Sequence, residues 1–164
     1  MQESGSVAGV SLRFALSAVL LAGGPAAAAE QPTLDQLMAT PSAPDIAAQW
    51  KAICLDHAGD AKAQKASVKA SELTWPYQAY FLKDKGAPAC VLASSIAASD
   101  TVDSLFAATE AAASPAALVD RKNDADQASA STVIEGMPYM VTVGIKKSTG
   151  NQVATVILTS LKKD

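Results

Sequence analysis

The sequence predicts an α+β protein: an antiparallel sheet of about five strands with about three helices packed on one face. Three observations carry that reading. Ile46, Trp50, Ile53, Cys54 and His57 recur at helical spacing behind a capping residue. Residues 139–161 alternate with a period of two around a Ser-Thr-Gly-Asn turn. The helical and alternating stretches are largely segregated along the chain, as in α+β rather than interleaved α/β proteins.

Residues 1–29 read as a signal peptide. Arg13 precedes the apolar run Phe14–Leu21, Gly23, Gly24 and Pro25 break it, and Ala26–Ala29 supply the small side chains of a cleavage site. The run is too short and too interrupted for a spanning helix, which needs roughly 20 apolar residues. No cysteine precedes Cys54, so lipid attachment beside the cleavage site is excluded. Residues 30–41 form a polar, then Pro-rich segment expected to be flexible, and residues 42–164 form one α+β domain.

Within that domain Ser42 caps the first helix, with Asp45 three residues on to bond back. Gly59 ends it. Asp60 caps a second helix, from Ala61 to about Ser71, with Ala63, Ala66, Ala70 and Leu73 on its inner face. Trp75-Pro76 closes the helical section, because a residue before proline avoids the α region. Tyr77–Leu82, the turn Lys83–Gly86 and a strand beginning Cys90-Val91-Leu92 make a hairpin. Asp100 caps a third helix with Val102, Leu105, Phe106 and Thr109 on one face, and Ser114-Pro115 stops it. Asp120–Ala130 is polar and reads as a loop. Three strands follow: Ser131–Glu135, Tyr139–Ile145 and Val153–Leu161. The last is expected to be central rather than a peptide-binding or self-association edge, since Val153, Ile157 and Leu161 alternate with Ala154, Val156 and Leu158 and no charge interrupts Val153–Ser160.

Composition excludes several functions. Signal removal takes Glu3 and Arg13 together, so the net charge stays at −3. That mild acidity gives no footprint for nucleic acid, which demands a clustered basic face. Lys62, Lys65 and Lys69 share a helical spacing and read as a solvated face. Only 5% of residues are aromatic. The core must therefore rest on Trp50, Trp75, Tyr77, Tyr80, Phe81, Phe106, Tyr139 and the aliphatic residues of the last strands. Trp50 and Trp75 are read as structural rather than as a ligand pocket.

Cys54 and Cys90 are the only cysteines, and an even count in an exported chain favours a disulfide. Closing this loop of about 37 residues is worth about 4 kcal/mol by loop-closure entropy. His57, the only histidine, follows Cys54 on the same face. A Cys/His nucleophilic pair fails because the cysteine is better used in a disulfide, so His57 reads as a helix-terminal residue. Asp120, Asp124 and Asp126 crowd one segment but lack the glycine and closing glutamate of a calcium loop. No zinc set, phosphate loop or Gly-x-Ser-x-Gly elbow occurs, so neither a metal, a cofactor nor a catalytic residue is assigned.

The elements Trp50-Lys51-Ala52-Ile53-Cys54 and Cys90 are similar to those of small uncharacterised exported proteins of proteobacteria, in which a helix cysteine precedes a second one by some tens of residues. The resemblance covers Asp45–Leu92 and implies a periplasmic setting, with no activity attached. The expectation is a periplasmic or secreted monomer without stable membrane insertion: a non-enzymatic binding or envelope-accessory protein whose partner is an envelope protein or a small ligand. The rival is a small wall-directed hydrolase or inhibitor-like module. It requires two of Asp56, Glu72, Asp84, Asp100 and Glu135 to meet in a cleft.

Overall fold

The structure, a computed structural model, describes residues 40–84 and 87–162. The expected signal peptide, and all of the 30–41 segment before Thr40, lie outside the described residues. Helix α1 (Ala43–Trp50) begins at the expected capping box: Asp45 donates its N–H to Ser42 Oγ, and the Asp45 carboxylate accepts the Ser42 N–H at 3.1 Å. It runs on into a π turn, Lys51–Leu55, where the Asp56 N–H reaches the Lys51 carbonyl at 2.9 Å. Ile46, Trp50, Ile53 and Cys54 are all 0% exposed, so the apolar stripe is the buried one.

Helix α2 (Ala61–Ala70) starts at Asp60, whose carboxylate accepts the Lys62 and Ala63 N–H groups at 2.9 Å. Its contact differs from the expected alanine face. Ala66 and Ala70 are exposed, and the buried residue is Gln64. Gln64 Nε2 donates to the Cys54 carbonyl and Ser67 Oγ to the Ala52 carbonyl, each at 3.1 Å. The end of any helix leaves carbonyls without intrahelical partners. Here α2 satisfies them, and Val68 with the following Leu73 packs against the core, so α2 docks through polar contacts beside a small apolar one.

Strands β1 (Tyr77–Asp84), β2 (Ala87–Ser95), β3 (Val119–Asn123), β4 (Gln127–Ile134), β5 (Met137–Ser148) and β6 (Asn151–Ser160) form one antiparallel sheet. Its order is β1-β2-β6-β5-β4-β3. It has six strands rather than about five. Helix α3 (Val102–Ala113) carries the chain from β2 to the far edge, β3. The final strand lies between β2 and β5, central as expected. Helices α1 and α3 pack together on one face, where Leu92, Val141, Val143, Val156 and Leu158 meet Trp50, Leu105 and Phe106 in a single core.

Four sequence expectations need correction. Asp120–Ala130 is not a loop but most of β3, a short turn and the start of β4. All of β3 is exposed, so no alternation marks it. Thr101 rather than Asp100 caps α3: Ser104 N–H donates to Thr101 Oγ1 at 3.2 Å, and Thr101 N–H to Ser104 Oγ at 2.9 Å. Trp75 is 75% exposed and Tyr80 44%, so neither belongs to the core. Strand β5 extends through Lys146 and Lys147, which leaves a tight turn at Thr149-Gly150, with Gly150 at φ +84°.

Candidate functional site

Cys54 and Cys90 are joined, with a Cα–Cα separation of 5.6 Å. The π turn presents Cys54 to the face of β2 that carries Cys90, so the bond fixes α1 to the sheet. No thiol is left for a Cys/His pair. His57 sits half-buried in the turn after α1, and its carbonyl accepts the Asp60 N–H at 3.1 Å.

A cleft of about 650 Å³ opens where three segments converge: Asp100–Asp103 at the start of α3, Asn123–Asp126 between β3 and β4, and Ile145–Lys147 of β5. Local bonds hold these walls. Asp124 N–H donates to the Gln127 carbonyl at 2.8 Å, and Ile145 N–H to the Asp126 carbonyl at 3.0 Å. Arg121 bridges β3 and α3: its guanidinium pairs with Asp103, donates to Asn123 Oδ1 at 2.7 Å and lies 4.2 Å from the Phe106 ring centroid. A smaller cleft of about 420 Å³, lined by Thr40, Ser95–Ala98 and Gly150–Gln152, adjoins it through Lys147.

The first cleft collects Asp100, Asp103, Asp124 and Asp126 with Lys146 and Lys147. Of the carboxylates proposed from sequence, only Asp100 lines it. Asp56 pairs with Lys51, Glu72 and Glu135 occupy positive-φ turn positions, and Asp84 ends β1. No second member of that set joins Asp100 in this cleft. Asp124 and Asp126 reach the cleft, whereas Asp120 stands on β3 away from its lining. Among the described residues no group of three or more His, Cys, Asp or Glu side chains is placed to hold a metal ion. Lys62, Lys65 and Lys69 are exposed on α2, as a solvated face would be.

Sequence reasoning did not find the larger feature, the second face of the sheet. Directly paired residues share a face, so the registers place Gln78, Tyr80 and Leu82 of β1 beside Ala93, Val91 and Ala89 of β2. They continue through Thr155, Ile157 and Thr159 of β6 to Gly144, Thr142 and Met140 of β5. Ser131 and Val133 of β4 and Val119 of β3 complete it. No described helix covers this face. Tyr80, Leu82, Val119, Val133 and Val153 are large exposed apolar residues, 40% to 63% accessible, and all hold positions on it. Its charged register positions, Asp84, Lys122 and Lys146, lie toward strand ends or on the outer strand.

Two tyrosines on the covered side have raised pKa values. For Tyr77 burial is the main cause, with the Asp45 carboxylate adding to it. For Tyr139, burial again leads, with Glu135 second. No protein-family model matches the chain, and no characterised protein or solved structure matches it. Among the described residues no helix is long and apolar enough to cross a membrane.

Proposed function

We propose that this is an exported, non-enzymatic binding protein of the cell envelope, and that it binds through the open face of its sheet. One observation carries the reading: the exposed large apolar residues Tyr80, Leu82, Val119, Val133 and Val153 gather on that one uncovered face. Scattered surface apolar residues are ordinary, but several on one uncovered sheet face point to an interaction surface. Hydroxyls from Thr142, Thr155, Thr159 and Ser131 interleave with them, giving a surface that offers both apolar contact and hydrogen bonding. Export is supported by the signal-like leader and by the disulfide, which persists in oxidising compartments. The partner is an envelope protein or a small ligand presenting an apolar surface.

The acidic cleft supports the rival hydrolase reading less well. Its carboxylates line a half-open, largely polar cleft beside Lys146 and Lys147, rather than an apolar enclosure. Photo-crosslinking residues introduced at positions 80, 133 and 153, with controls at 65 and 126, separate the two in the cell. Discrete adducts from the open face alone support binding there. Adducts absent from that face, together with a wall-degrading activity lost in Asp100→Asn and Asp126→Asn, decide for the hydrolase.

A further inference from the structure

We propose that β1 is a pairing edge and that its partner is the β1 strand of a second copy of this chain, joined antiparallel about a two-fold axis. The sheet has two edges, and they are built differently. β3 is short, wholly exposed, carries Asp120, Arg121 and Lys122 in succession, and breaks register between Val119 and Lys122. Short length, charge and a bulge are the devices by which proteins keep an edge from accepting another strand.

β1 has none of them over Tyr77–Leu82. It is eight residues long and pairs with β2 without a register shift. Tyr77-Gln78-Ala79-Tyr80-Phe81-Leu82 contains no charge, no proline and no glycine, a composition that favours strand addition. Among the described residues nothing pairs with its outer side. Trp75, Tyr80 and Leu82, 75%, 44% and 56% exposed, stand on or beside this edge.

The occupant follows from symmetry. In an antiparallel pair, a register that keeps both sheet faces continuous sets residues of equal parity opposite each other. In a self-pair the outward amides of β1 then meet outward carbonyls of its copy, apart from the Tyr77 N–H, which already donates to the Thr74 carbonyl at 3.0 Å. Such an interface is isologous and closes at two molecules. The blocked β3 edge leaves no second site from which a filament could grow. Centred on Tyr80, the pair sets Gln78 of one copy against Leu82 of the other and joins the two open faces into one. A dimer, rather than the monomer expected from the sequence, is the result. This inference stands on the edge and does not depend on the binding reading.

Sedimentation equilibrium of the purified, disulfide-bonded chain tests it, with amide hydrogen exchange on the same samples. The expected result is a dimer at micromolar concentration in which the outward amides of β1 lose protection on dilution. Tyr80→Lys with Leu82→Lys should raise the dimer dissociation constant at least about tenfold. Val133→Lys, on the same face but remote from the edge, should leave it unchanged. The dilution series on the unaltered chain needs no substitution, so a folding defect in the variants does not blunt the test. A monomer at all concentrations overturns the proposal, whether β1 exchanges fast or is protected by another segment of its own chain. A dimer indifferent to both lysines, with β1 amides exchanging freely, overturns it too.

Discussion

Gly59 lies at φ +83°, and a Cβ added there would come within 2.9 Å of Tyr139 Oη. Two costs therefore meet at one position: a backbone conformation that side chains avoid, and a close approach to a residue only 5% exposed. Gly59→Ala should destabilise the fold by more than about 1 kcal/mol in urea denaturation, and part of that loss should vanish in a Tyr139→Phe background. Gln64 is a second such residue. Truncating it to alanine leaves the buried Cys54 carbonyl without its side-chain donor, at an expected cost of about 1–3 kcal/mol. Tyr77 and Tyr139 add a dependence on pH. Their neutral phenols are favoured by the fold, so their share of stability is whole below pH 10.0, the ordinary phenol value. It is lost as pH rises through the raised values. Unfolding followed above pH 10.0 should show that loss, and Tyr139→Phe should lessen it; an identical alkaline slope in that variant would contradict the assignment.

At the scale of elements, the disulfide ties α1 to β2 across 36 residues of chain. Cys90→Ala should cost about 4 kcal/mol if loop closure governs it, read as a shift in the urea midpoint. The capping box at Ser42 is smaller: Ser42→Ala should cost about 1 kcal/mol and fray α1. These two features were legible in the sequence because each rests on local or compositional signals. The Ser42–Asp45 spacing marks a helix start, and the Ile46–Trp50–Ile53–Cys54 stripe and the alternation in β5 and β6 mark buried faces. What the sequence hid had no buried face to mark it. β3 is fully exposed, α2 docks by Gln64 and Ser67 rather than by alanines, and Trp75 is large but solvent-facing. The open face escaped for a further reason. Tyr80, Val91, Ile157 and Met140 come from four strands, and only the strand order, which no periodicity encodes, sets them side by side.

Across the whole molecule, stability should grade outward from the middle of the sheet. β6 has β2 and β5 on its flanks and Ala154, Val156 and Leu158 in the core, so its amides should exchange slowest. β3, exposed throughout, should exchange fastest. The same placement of β6 bears on the order in which the protein is made. Cys54 and Cys90 are synthesised long before Asn151, so the staple between α1 and β2 can close while the sheet is still in two pieces. The β1–β2 hairpin and the β3–β4–β5 meander have no edge-to-edge contact until β6 is threaded between them. A nascent chain stopped short of Asn151 would therefore carry its disulfide yet expose two unfinished edges, and every earlier element waits on the last strand before it can stop being a substrate for chaperones and proteases.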